Sequence, residues 1–115
     1  MMGLGSTCKL TPNFSGRVRL SFNGAFGDTT ANSSPIAQIR YGTGTAPANA
    51  AALTGTTLGT STISLITAAS TFAAFTLDAI VSGLTPGTAY WFDLALTANL
   101  GTASIASVTF TAFEF

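Results

Sequence analysis

Arg17-Val18-Arg19-Leu20-Ser21-Phe22-Asn23-Gly24-Ala25-Phe26 changes side-chain character at nearly every step. Val18, Leu20, Phe22 and Phe26 fall on one side, with Gly24 in the same register; Arg17, Arg19, Ser21 and Asn23 fall on the other. Successive side chains of a strand point to opposite faces, so this stretch reads as a half-buried strand in a sheet with one solvated or interfacial face. The same period continues outward. Ile36 to Tyr41 sets Ile39 and Tyr41 inward against Gln38 and Arg40. Thr88 to Thr97 sets Tyr90, Phe92, Leu94 and Leu96 against Trp91, Asp93 and Ala95, and Ala103 to Phe115 sets Val108, Phe110 and Ala112 against Thr109, Thr111, Phe113 and Phe115. Ser6 to Leu10, Leu53 to Leu58, Thr62 to Ile66 and Thr71 to Val81 read as further strands. Turn chemistry separates them, most sharply at Gly83-Leu84-Thr85-Pro86-Gly87, where Pro fixes φ and Gly permits a positive one. A helical period occurs nowhere. The expected fold is all-β: an antiparallel β-sandwich, jelly-roll-like or immunoglobulin/fibronectin-like, of about eight strands. Residues 1–5, with Gly3 and Gly5, are expected as a flexible lead-in to a single domain over 6–115.

Composition restricts what such a sandwich does. The chain has 115 residues, the size of one domain. Four Lys and Arg balance four Asp and Glu, so net charge is zero and electrostatic capture of nucleic acid or anionic lipid is not expected. A folded monomer of this mass exposes roughly 5,800 Å². Charged residues make up 7% of the chain, against about 25% in an average protein. Much of the surface must therefore be Thr, Ser, Ala and backbone, since 20 Thr, 19 Ala, 12 Gly and 11 Ser dominate the sequence. Such a surface is poorly protected against self-association, and part of it is expected to be buried between subunits. Trp91, Phe113 and Phe115, on the second face of the last strands, are the candidate interface residues together with Arg17 and Arg19. Tyr41 and Trp91 are the candidate anchors for a ligand.

Catalytic chemistry is sparse. There is no histidine, and the single cysteine excludes an internal disulfide and a cysteine-rich zinc site. Cys8 and Lys9 are neighbours, so on a strand they face opposite ways; Cys8 reads as a small buried hydrophobe. Asp78 and Asp93 form a carboxylate pair only if their strands are adjacent. Gly42-Thr43-Gly44 does not open a helix, so it is no phosphate loop. Arg17, Arg19 and Arg40 are too few for nucleic-acid binding and are expected to pair with Asp28, Asp93 or Glu114. Tyr90 to Leu96 is too short to cross a membrane and contains Asp93. Met1 to Gly5 lacks the basic start and apolar middle of a secretory signal. A non-catalytic module without a cofactor is expected, and the chain reads as an end piece of a longer polypeptide.

Several segments together carry a resemblance. Leu10-Thr11-Pro12-Asn13-Phe14-Ser15-Gly16-Arg17-Val18-Arg19-Leu20-Ser21-Phe22-Asn23-Gly24 resembles the opening of small β-sandwich domains in tailed-bacteriophage virion proteins. Gln38 to Pro47 and Ala51 to Gly55 resemble their middle, and Gly83 to Trp91 with the ending Ala112-Phe113-Glu114-Phe115 resembles their close. The resemblance implies a C-terminal tip, knob or decoration domain of a tail fibre, head fibre or capsid, on the surface of the virion. It implies a homotrimer that contacts other virion proteins, or alternatively an adhesive domain for a host-surface glycan or protein. Val81 to Ala112 also resembles the last strands of a fibronectin type III domain, with Tyr90 in the tyrosine-corner position. The front departs from that pattern, because Phe22 stands near the place of the inner tryptophan.

Overall fold

The computed structural model describes every residue from Met1 to Phe115. Seven strands form: β1 (Lys9–Leu10), β2 (Val18–Asp28), β3 (Ile36–Thr43), β4 (Thr56–Ile63), β5 (Phe72–Val81), β6 (Tyr90–Thr97) and β7 (Ala103–Glu114). They make two antiparallel sheets, one of order β1-β6-β3-β4 and one of order β5-β2-β7. The sheets pack as a sandwich with overall dimensions 46 × 24 × 20 Å. The count is seven because Thr62 to Ile66 is not a strand of its own: β4 runs on to Ile63, and Ile66 makes only an isolated bridge to Ser33.

The inner faces are those the alternation assigns. Val18, Leu20, Phe22 and Phe26 of β2 are fully buried against Ala37 and Ile39 of β3 and Phe92 and Leu94 of β6. Phe75 and Leu77 of β5 complete the layer. Aromatic rings bind it across the sheets: Phe110 of β7 lies 4.8 Å from Phe22 and 5.8 Å from Phe92, centroid to centroid. Removing Phe22 to Ala would cost roughly 3–5 kcal/mol, the usual range for an emptied aromatic site.

The first five residues are not a free lead-in. They fold over the outer face of the β1-β6-β3-β4 sheet, with a 3-10 turn at Leu4–Ser6 and the Met1 side chain buried. Met2 N–H donates to the Leu94 carbonyl at 2.9 Å, and Ala50 N–H donates to the Met1 carbonyl at 2.9 Å. Gly3 and Gly5 let the backbone come close to Asp93 and Trp91, while Met1 is buried and Met2 and Leu4 pack against the core.

The last connection sets the topology. In the immunoglobulin arrangement the final two strands share a sheet; here β7 leaves the sheet of β6 and joins β2 in the opposite one. The arch at 98–102 is fastened to the loop after β2. The Ser33 hydroxyl sits 2.8 Å from Asp28 Oδ2 and 2.8 Å from the Leu100 carbonyl, and Ser34 N–H donates to Asn99 Oδ1 at 2.6 Å. Thr29 N–H donates to the Thr102 carbonyl at 3.2 Å, which starts the β2–β7 ladder.

Candidate functional site

The outer face of the β5-β2-β7 sheet is covered by no other element, and its composition follows from the strand period. Register places Ile80, Arg19 and Phe113 in one row, Asp78, Ser21 and Thr111 in the next, and Thr76, Asn23 and Thr109 in the third. Thr76 Oγ1 donates to Asn23 Oδ1 at 2.9 Å, and Asn23 Nδ2 donates to the Ser21 hydroxyl at 3.0 Å, so the polar rows bond laterally. Both ends of the face are apolar. Phe72 is 60% exposed at one; at the other stand Ile80, 55% exposed, Phe113, 50%, and Phe115, 41%. The Arg17 guanidinium lies over the Phe115 ring, 4.6 Å from its centroid, and the Phe113 and Phe115 rings are 6.3 Å apart. Arg19 stands between two shallow hollows of about 320 Å³ each, one reaching Thr111 and Phe113, the other Ala79 and Ile80. Arg17, Arg19, Phe113 and Phe115 are therefore brought together on one uncovered surface.

Trp91 is not with them. Parity puts it on the outer face of the other sheet, where its own chain buries it to 3% exposure. Its indole N–H donates to the Thr43 carbonyl at 3.1 Å. Glycines surround the ring: a Cβ at Gly42 would lie 2.6 Å from Trp91 Cζ2, and one at Gly5 would lie 3.2 Å from Trp91 Cβ. Trp91 is neither an interface residue nor a ligand anchor, because residues 1–6 and the 42–55 loop cover it. Tyr41 is likewise part of the fold. Its ring is half-buried on the inner face, 6.1 Å from Phe92 and 6.3 Å from Tyr90. The Tyr90 hydroxyl accepts the Thr85 N–H at 3.0 Å, the bond that a tyrosine corner makes to the turn before it.

Asp28, Asp93 and Glu114 are satisfied by amides and hydroxyls, not by the arginines expected to pair with them. Asp93 is fully buried beside Trp91 and accepts Gly3 N–H at 3.0 Å, Leu4 N–H at 3.0 Å and Leu94 N–H at 2.7 Å. Asp28 accepts Thr30 N–H at 2.9 Å as well as the Ser33 hydroxyl. Glu114 accepts four successive N–H groups, Asn13 at 2.6 Å, Phe14 at 3.0 Å, Ser15 at 2.7 Å and Gly16 at 2.8 Å. Desolvation pulls the Glu114 carboxyl upward, but these four donors together outweigh it and hold the group down at about 2. Arg40 instead fastens the 54–57 loop, donating to the Thr54 and Gly55 carbonyls at 2.7 and 2.8 Å. No sequence signal announces the Asp93 contacts to Gly3 and Leu4, since these donors lie 90 and 89 residues away. The Glu114 contacts have a faint one, the Asn13-Phe14-Ser15-Gly16 turn whose amides must point somewhere.

The expected carboxylate pair does not meet. Asp78 is exposed on the β5-β2-β7 sheet, whereas Asp93 is buried on the far side of the other sheet. No three His, Cys, Asp or Glu side chains converge. Burial pushes the Cys8 thiol up, with the Thr7 hydroxyl opposing and the Asp93 charge adding to it. The largest groove, about 890 Å³, runs past Met1, Met2, Leu53, Leu96 and Ile105. Its two largest polar side chains are engaged in the fold: Gln38 donates to the Leu58 carbonyl at 2.7 Å, and Arg40 holds the loop. No helix is long and apolar enough to cross a membrane. Comparison with family models, curated proteins and solved structures found no match to this chain.

Proposed function

We propose that this chain is a non-catalytic structural module of a bacteriophage particle, which works by associating with copies of itself and with other virion proteins. One observation carries the reading. The β5-β2-β7 face holds Phe72, Ile80, Phe113 and Phe115 largely in solvent, flanked only by Arg17, Arg19 and Asp78 as charges. Exposed apolar clusters of this kind mark association surfaces in soluble proteins. The pattern shared with virion β-sandwich domains supports the particle as its setting. The exposed area, 5710 Å², is that of an ordinary compact monomer of this mass, so the fold itself leaves the surface for partners to cover. Both aromatic residues that an adhesive reading would use, Trp91 and Tyr41, are engaged in the fold, and the structural reading is preferred for that reason.

Sedimentation velocity from about 1 to about 100 µM tests the association. A mass that rises to a multiple of 11.6 kDa is expected; a single species of 11.6 kDa throughout would overturn the reading. Peptides of this chain in density-purified particles are the test of the virion setting, and a preparation of complete particles lacking them would remove it.

A further inference from the structure

A sandwich of two open sheets has four edges, and an edge exposes unpaired N–H and C=O groups that template another strand. Three of the four are blunted here. β1 has only two residues. β4 is interrupted by a register shift between its pairings with Ala37 and Ile39, where Gly59 takes φ 69°, and Gln38 covers the Leu58 and Gly59 carbonyls. β5 is flanked by β4, so close that a Cβ at Gly59 would sit 3.2 Å from Ala79 Cβ. The fourth, β7, is twelve residues long, pairs only with β2, and contains no Lys, Arg or Pro.

Ser107, with φ 52°, marks a bulge that divides β7, and beyond it Thr109 to Glu114 runs regularly. Phe115 N–H donates to the Arg17 carbonyl at 3.0 Å, so residues 109, 111 and 113 bond toward β2. Antiparallel alternation then points the N–H and C=O of Phe110 and Ala112 away from the sheet. The one charge on the strand, Glu114, is held by the 13–16 amides.

We infer that the free edge of β7 pairs antiparallel with the β7 of a second copy about a two-fold axis near Thr111, joining two three-stranded sheets into one of six strands. The inference rests on the self-association proposed above and gives it a geometry: identical edges satisfy each other through a two-fold contact, not through the threefold assembly that the phage resemblance implies. No charge repulsion opposes the approach, since net charge is zero and the paired run has no free charge. Pairing about Thr111 overlaps residues 107–115 of the two copies, about 30 Å at about 3.3 Å per residue, in a molecule whose shortest dimension is 20 Å. That covers on the order of 600 Å² per partner, or roughly 1,200 Å² in all, the lower limit of specific interfaces. A weak, concentration-dependent dimer follows.

Two variants and one exchange measurement test this. Thr111→Lys sets like charges opposite each other at the axis and should raise the dimer dissociation constant by about tenfold or more. Ala112→Pro removes an outward N–H and leaves the β2 ladder intact, a position where edge strands accept proline. Both should sediment as monomers while keeping the buried emission of Trp91. In the wild type, the Phe110 and Ala112 amides should gain protection from hydrogen exchange as concentration rises. If the assembled protein exchanges these two amides as fast as an open chain, or if folded Thr111→Lys dimerises as the wild type does, the pairing is wrong. Should either variant fail to fold, the wild-type exchange decides alone. A threefold mass overturns the two-fold pairing and leaves self-association standing; a wild-type monomer at every concentration removes both.

Discussion

Asp93→Ala takes away the acceptor of three N–H groups at once, those of Gly3, Leu4 and Leu94. Hydrogen bonds to a charged partner contribute roughly 1.5–3 kcal/mol each. They do not add here, because deleting the carboxylate also removes the cost of burying a charge. Gly3 and Leu4 lie in a half-buried segment that can lift and bond to water instead. Leu94 lies fully buried in β6 and cannot. The loss is then one charge-assisted bond without replacement, together with the docking of residues 1–6, about 3 kcal/mol in total. With a urea dependence of about 1.3 kcal/mol per molar, the unfolding midpoint should fall by roughly 2 M. Trp91 is the only tryptophan and lies beneath Gly5, so its fluorescence reports both events. Native emission should move to the red and acrylamide quenching should increase as the segment detaches. Asp93→Asn retains one acceptor oxygen and should fall between. An Asp93→Ala protein with wild-type midpoint and emission would refute the idea that this carboxylate fastens the N-terminal segment.

Three further outcomes are expected. The Glu114 carboxyl is held at about 2 in the fold against an ordinary 4.5, so its contribution is complete above about 4.5 and disappears as pH falls toward about 2; the urea midpoints of wild type and Glu114→Gln should converge over that interval, and a constant difference would exclude the role given to the 13–16 amides. Gly42→Ala drives a methyl group into the Trp91 ring, 2.6 Å from Cζ2, and should destabilise by about 1–3 kcal/mol through overpacking, measured by the same denaturation. Ser33→Ala removes the one hydroxyl proton that Asp28 Oδ2 and the Leu100 carbonyl share, leaving a buried acceptor short of a donor, costing roughly 1–3 kcal/mol and lowering Tm by roughly 5–15 °C in calorimetry.

Alternation set Arg17, Arg19, Phe113 and Phe115 on outer faces, and the structure leaves them on one uncovered face, whereas Trp91, also set on an outer face, is buried. Alternation states which side chains share a face, and it correctly opposed Trp91 and Asp93 to Phe92 and Leu94. It does not state whether the outer side of a sheet meets solvent or chain. Phe113 and Phe115 meet solvent because nothing crosses β5-β2-β7. Trp91 and Asp93 do not, because a segment as bland as Met1-Met2-Gly3-Leu4-Gly5 lies across β6. That segment has no amphipathic period. What holds it are backbone amides, which every sequence possesses and none displays, together with Met1, Met2 and Leu4, whose apolar character does not say where they pack.

The amino-acid order alone determined the β-class of this protein, its inner faces and its turns, since these depend on side-chain polarity at neighbouring positions and on the dihedral limits of Gly and Pro. It also determined the scarcity of charge on the surface. Only the tertiary structure decided which strand lies beside which: β7 crosses to β2, and thereby becomes an unprotected edge, because the 98–102 arch bonds to the loop after β2 through Asp28, Ser33 and Asn99. Pairing energy between strands comes from backbone groups common to all residues. The choice of neighbour therefore rests on a few distant polar contacts, and these exist only once the chain has folded.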